Sequence, residues 1–176
     1  MRRAPGKKPL EPAQAADPNA AYSAAVALLA RRDFSSEDIE RRLTGRGFTR
    51  EAVAQALTEL RSANALDDAR YGQNLVARST RRGQGPVRIR NELRRAGVAP
   101  ELAEAAINPG QDGPDFARLA RETRARKFGA KVPRDWKEKA RQARFLQYRG
   151  FSTDHIRAAL DGDFEVDDGG QADPDQ

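Results

Sequence analysis

Three stretches of equal length decide how this chain folds: LTGRGFTREAVAQAL (43–57), LRRAGVAPELAEAAI (93–107) and LQYRGFSTDHIRAAL (146–160). In each, a glycine (Gly47, Gly97 or Gly150) stands four residues after a leucine and ten before Leu57, Ile107 or Leu160. Glycine just past a helix end takes left-handed dihedral angles at little steric cost, so the preceding helix should stop there. An apolar residue and a new helix start follow. Phe48–Thr49 and Phe151–Ser152 supply a hydroxyl to cap free N–H groups, with each phenylalanine spaced to clasp Val53 or Ile156 one turn in. The middle copy has Val98–Ala99 there, with Pro100 to open its helix, so its cap is expected to be the weakest.

The same punctuation extends outward. Phe34–Ser35 precedes Ile39, and Leu66–Asp67 precedes Tyr71, with the spacing of a capped and clasped helix start. Pro86 and Pro114, after Gly85 and Gly113, suit first-turn positions. Helices are therefore expected near 21–32, 36–46, 50–62, 68–82, 86–96, 100–107, 114–127, 135–149 and 153–160. No segment alternates with period two, so strands are not required. The resulting fold class is all-α: three tandem three-helix repeats in an elongated row, spaced near 50 residues. The boundaries read as a disordered tail 1–20, repeats at 21–66, 67–108 and 114–160, a linker 109–113, and an acidic disordered tail 161–176.

Composition agrees with thin modules. Leu, Ile, Val and Phe make up 31 of 176 residues, too few for one thick core in a chain this charged. The formal charge of +6 hides an asymmetry, because residues 161–176 hold seven acids and no base, leaving +13 on the rest. Such an excess suits an anionic partner. Of the 32 bases 26 are Arg, which an Ala- and Arg-rich coding bias would also produce. Cysteine is absent, which excludes disulfides and thiolate metal sites. No apolar run reaches the ~20 residues of a membrane span, and the first residues lack the apolar core of a secretory signal. A cytoplasmic location with no membrane association is expected.

The stretch LDDARYGQNLVARSTRRGQGPVRIRNELRRAGV (66–98) carries a resemblance. Asp67-Asp68-x-Arg70-Tyr71, the turn Gly83-x-Gly85-Pro86, and Arg88-Ile89-x-x-Glu92-Leu93 leading to Gly97 together resemble the RecX family, regulators of the RecA recombinase. The similarity extends over roughly 21–160, and Trp136–Leu160 looks like the third repeat of that family. Membership implies three tandem three-helix units, binding to RecA filaments on DNA, inhibition of RecA ATP hydrolysis and strand exchange, and a place in DNA repair, recombination and the SOS response. The chain departs from the family in its acidic tail and in Ala99.

Residue by residue, Asp67 and Asp68 read as a cap and a first-turn acid rather than metal ligands. Tyr71, Leu75 and Val76 read as core. Gly83-Gln84-Gly85 lacks the context of a nucleotide loop and reads as a tight turn. The bases of 67–97 are the candidates for gripping filament or DNA with bidentate guanidinium forks, namely Arg70, Arg78, Arg81, Arg82, Arg88, Arg90 and Arg94, with Arg95 beside them. A second candidate face lies on the penultimate helix. Trp136, Ala140, Ala143 and Leu146 are expected to face the core, which turns Lys137, Arg141, Arg144 and Tyr148 elsewhere. A merely solvated charged face is the competing reading. The one histidine, His155, falls at the third position of a short helix, where a cap role outweighs general-base chemistry. No catalytic residue, metal site or cofactor is expected. The partner is a RecA filament bound by a monomer, with weak non-specific DNA binding; the alternative is a stand-alone helical DNA-binding protein. The acidic tail is expected to shield the Arg faces.

Overall fold

A computed structural model describes residues 10–111 and 113–160. The acidic tail and residues 1–9 of the expected N-terminal tail lie outside the described residues. All regular structure within them is helical: α1 Pro12–Ala15, α2 Pro18–Leu29, α3 Ser36–Thr44, α4 Arg50–Ser62, α5 Asp68–Arg81, α6 Pro86–Arg95, α7 Pro100–Ile107, α8 Phe116–Phe128, α9 Trp136–Tyr148 and α10 Thr153–Ala159. Helices α2–α4, α5–α7 and α8–α10 form the three expected triplets.

The three glycine stops have one geometry. Gly47, Gly97 and Gly150 have φ of 101°, 72° and 84°. In each, the following N–H reaches back five residues, Phe48 to Leu43 O at 3.2 Å, Val98 to Leu93 O at 3.1 Å and Phe151 to Leu146 O at 3.1 Å. Those bonds satisfy carbonyls that the ended helix would leave without partners. The next helix is then capped from the side: Thr49 accepts from Ala52 N–H and Ser152 from His155 N–H. Phe48, Val53, Phe151 and Ile156 are all buried, as the clasp requires.

In the first triplet α2 packs on α4 and α3 touches both. The core there holds Phe34, Ile39, Leu43, Leu57 and Leu60, with Ala21, Ala25, Ala52 and Ala56 letting backbones approach. The third triplet repeats the plan, α8 on α10 with α9 touching both, around Ala120, Ala143, Leu146, Ile156 and Leu160. The chain packs as two compact units, residues up to 72 with Leu93–Ala103, and Gln73–Glu92 with the rest from 104 onward. The middle triplet is thus shared between two packing units rather than standing alone.

Two differences from the sequence reading have local causes. Order begins before residue 21: α1 and the first turn of α2 fall within the expected tail. Leu10 and Ala20 pack on the first core, Asp17 caps Asn19 N–H at 2.9 Å, and Thr49 N–H donates to Ala15 O at 2.9 Å. Helix α8 starts at Phe116 rather than Pro114, because Asp115 takes the Arg118 N–H at 2.8 Å and becomes the cap.

Each unit also contains one joint of the same design, in which the start of a second helix docks on a later glycine stop. In the first unit the Ser35 hydroxyl donates to Ala96 O, and Ser36 N–H donates to Asp68 Oδ1 at 2.7 Å. In the second, Gly85 N–H donates to Arg149 O at 2.9 Å and Val87 N–H to Gly150 O at 3.0 Å. A Cβ on Gly85 would collide with the Gly150 carbonyl and Phe151 N, both backbone.

Two stability outcomes follow from this geometry. Gly85→Ala should cost about 3 kcal/mol or more in urea unfolding, since neither backbone can retreat as a side chain would; an unchanged midpoint would contradict the joint. Ala99→Ser places a cap one residue before Pro100, where the native side chain offers none, and should stabilise by roughly 0.5–1 kcal/mol.

Candidate nucleoprotein-binding surface

Helix α9 is fixed from inside by a buried arginine. Arg124 of α8 is 4% exposed, and its guanidinium donates to Ala130 O at 3.0 Å, Lys131 O at 3.2 Å and Gln142 Oε1 at 3.3 Å. Three acceptors on the neighbouring loop and helix offset part of the cost of burying the charge. They also pin the connection between α8 and α9. Gln142 in turn donates to Glu138 Oε1 at 2.9 Å, and Asp135 caps the helix at Glu138 N–H. Hydrogen bonds from Gln142 and Arg141 hold the Glu138 carboxyl below its ordinary pKa, so it stays anionic.

With Gln142, Ala143 and Leu146 buried, the opposite side of α9 faces solvent. At about 100° per residue, Arg144, Lys137, Tyr148 and Arg141 fall within roughly 60° of one another, and all four are exposed. Tyr148 is 78% exposed. Arg141 is partly engaged, bonding Glu138 at 2.9 Å and lying 5.1 Å from the Phe128 ring centroid. Trp136 does not face the core as its spacing suggests: it is 64% exposed. The buried stripe begins at Gln142, and the first turn projects beyond it. Two aromatic rings and three cations thus decorate one exposed helix, where the sequence reading found one ring.

The arginines of the middle triplet divide into committed and uncommitted groups. Arg70 donates to Asn64 O at 3.1 Å and so closes the end of α4. Arg88 bonds Glu92 within its own helix at 3.2 Å. Arg90 grips Glu104 with both nitrogens, Nη2 to Oε2 at 3.0 Å; that bond raises the Arg90 pKa and lowers the Glu104 pKa, locking both charges on. Arg70 thus ties α5 to the loop after α4 and Arg90 ties α6 to α7, while the Arg88 pair lies within α6. Arg78 is exposed on α5. Arg81, Arg82 and Arg94 are exposed and pair with no acid among the described residues. The Gly83–Gly85 segment is the tight turn expected, with Gly83 at φ 69° and Gln84 N–H on Ser79 O at 3.0 Å.

Three bases outside the expected set join Arg82. Arg126, Lys127 and Arg149 line one small pocket with it, beside Gly83, Thr123 and Phe145. Spacing could not reveal them, because Arg82 and Arg149 meet only where the Gly83 turn docks. The Arg149 Nη1 donates to Arg82 O at 2.8 Å.

Among the described residues no cluster of His, Asp and Glu could hold a metal ion, and no helix is long and apolar enough to cross a membrane. Fold and surface together define a helical tandem-repeat protein that presents cationic faces. Residues 21–60, 67–107 and 115–160 match the first, second and third three-helix domains of RecX, and the chain belongs to the RecX family. Regulatory protein RecX of Halorhodospira halophila is 40% identical over 151 residues, covering 86% of this chain and 92% of that relative. The Ectopseudomonas mendocina protein of the same name is 40% identical over 146 residues, covering 83% and 96%. The crystal structure of RecX from Lactobacillus salivarius shares the fold with a TM-score of 0.70 at 19% identity, over 82% of this chain and 95% of that one. A second RecX crystal structure gives 0.68 at 25% identity, over 85% and 74%.

His155 takes the cap role its position suggests. Its Nδ1 meets the Ser152 hydroxyl at 2.8 Å and the Ser152 N–H at 3.4 Å, while the ring lies 5.9 Å from that of Phe116. Burial lowers its pKa below the ordinary 6.5, against the opposing pull of Asp154 and Asp115. The unfolded imidazole therefore protonates first as pH falls, so stability is full above 6.5 and declines through the window beneath it. His155→Gln keeps a capping-box residue but does not titrate. Urea unfolding across pH 7 to ~5 should fall for the native chain and be flatter for the variant; parallel curves would refute the assignment.

Proposed function

We propose that this chain binds RecA nucleoprotein filaments in the cytoplasm as a monomer and lowers their ATP hydrolysis and strand exchange. It acts by binding rather than by chemistry of its own. Family membership supports the regulatory reading, and its curated relatives carry the name regulatory protein RecX. The observation that carries the site assignment is the α9 face, where Lys137 and Arg144 have no acid partner among the described residues and Tyr148 is 78% exposed. A ligand can shift the filament between its nucleotide-dependent states only by binding one of them more tightly. Cations on a rigid helix, held in register by Arg124 and Gln142, suit that discrimination better than cations on a loop.

A base-reading DNA protein is the weaker reading. In helix–turn–helix proteins the second helix enters the major groove and presents side chains to base edges. Here the helices after each glycine stop are poor in bases, and α7 carries Glu101 and Glu104 with no base at all. Free DNA should therefore bind through phosphate attraction, weakly and with steep salt dependence.

The test uses preformed RecA filaments on single-stranded DNA. Native protein should reduce ATP hydrolysis in a saturable way. The triple variant Lys137→Glu, Arg141→Glu, Arg144→Glu should need more than about tenfold more protein for the same reduction, because like charge then faces an anionic partner. Helical circular dichroism should be unchanged, since all three side chains are exposed. Undiminished hydrolysis at saturating native protein would overturn the function, and equal potency of the variant would overturn the site.

A further inference from the structure

The pocket beneath the Gly83 turn is a distinct site. It encloses about 230 Å³ between the end of α5, the last turn of α8 and the end of α9. Arg82, Arg126, Lys127 and Arg149 contribute four cations, and no acid among the described residues lines it. Of these only Arg149 is engaged among the described residues, through Nη1 to Arg82 O at 2.8 Å and with its guanidinium 5.1 Å from the Phe145 centroid. Like charges so gathered repel one another, and an anion among them relieves the repulsion.

A second observation points the same way. Thr123 is 5% exposed, lines this pocket, and its hydroxyl has no hydrogen-bond partner among the described residues. A buried hydroxyl ordinarily finds one. Gly83 makes room for it, because a Cβ there would lie 2.8 Å from the Thr123 oxygen.

We infer that this pocket binds a phosphate group, one phosphodiester of a single-stranded polynucleotide. The guanidinium fork suits a tetrahedral oxyanion. The volume holds such a group but lies below the roughly 300–1,000 Å³ of pockets that enclose whole small molecules. A phosphate presented by a polymer fits; a complete nucleotide does not. The inference does not rest on the filament reading, because it concerns DNA in the absence of RecA and residues away from the exposed α9 face.

The full chain is titrated with a fluorescent single-stranded oligonucleotide over a range of potassium chloride. Arg126→Gln with Lys127→Gln should weaken binding at every sequence and make the slope of log K against log salt shallower by about 1. The control Arg61→Gln with Arg121→Gln removes equal charge from exposed positions outside the pocket. It should weaken binding less; an equal loss would reduce the effect to bulk charge and overturn the site. Thr123→Val separates binding from folding. It should raise the melting temperature, since it deletes an unsatisfied hydroxyl, while still weakening oligonucleotide binding. Undiminished binding by this variant and by the Arg126/Lys127 pair together would sink the proposal. Inorganic phosphate should give saturable NMR shifts at the Gly83 amide and Thr123 methyl; shifts spread evenly over the Arg-rich helices would contradict it. A polyglutamate of matched charge that displaces the oligonucleotide as well as free phosphodiester does would overturn the choice of phosphate over carboxylate.

Discussion

The hydrogen bond from the residue after each glycine stop back to a leucine carbonyl five positions earlier is what the rest of this structure depends on. It can form only if the intervening residue has positive φ, which costs other L-residues about 1 kcal/mol or more. Made three times, at Phe48, Val98 and Phe151, it reverses the chain at the same place in each triplet. The residue that donates the bond is also the apolar clasp of the next helix, so the end of one helix and the start of another are a single event. That economy matters in a chain with so little apolar material. A core of Ile39, Leu43 and Leu60, or of Leu146, Ile156 and Leu160, is small, and two helices entering it in the wrong register would leave nothing to spare.

The same turns then serve as sockets. Ala96–Gly97 and Arg149–Gly150 expose carbonyls just where their helices end, and the starts of α3 and α6 supply the donors. The two sockets solve the problem differently. Serine gives a side-chain hydroxyl to Ala96, whereas Gly85 gives its own N–H to Arg149 and so brings backbone against backbone. Side-chain bonding tolerates a Cβ; backbone bonding at that range does not. Only the second joint therefore demands glycine on both sides, and only there does the docked turn carry Gly83 down onto Thr123.

This contrast explains what was legible in the sequence. Helices α4 and α7 begin at Arg50 and Pro100, where the preceding glycine stops, the Thr49 cap and Pro100 itself place them, because those signals act within a few residues. Burial of Val53, Ile89, Leu93 and Ile156 follows equally from helical period. Trp136 breaks the pattern because period gives a direction and not a depth: its spacing matches Ala143, but it stands ahead of Gln142, where the buried stripe of α9 begins. Leu10 and α1 lay in a segment whose Pro and Ala content resembles a tail, and only contact with the first core orders them. Among the candidate bases, Arg70, Arg88 and Arg90 looked the same as Arg81 and Arg82. What separates them is a carbonyl or carboxylate opposite, and for Arg70 and Arg90 that acceptor comes from another element.

That separation bears on how the surplus of arginine is used. Bidentate pairing of Arg90 with Glu104 and the cap formed by Arg70 consume guanidinium groups in holding helices together. Glu104 neutralises the Arg90 charge, which then adds little to the field outside. Further cations gather in two settings of unlike character. On α9 they lie on an open surface with Tyr148, where salt screens them. Around Gly83 they line a small pocket together with Thr123, a setting suited to a single group of defined shape. A partner combining an extended protein surface with a regularly spaced phosphate chain would meet both at once, and neither protein alone nor naked DNA would. Selectivity for a nucleoprotein can thus come from dividing one surplus of arginine between a face and a pocket, with no base ever read.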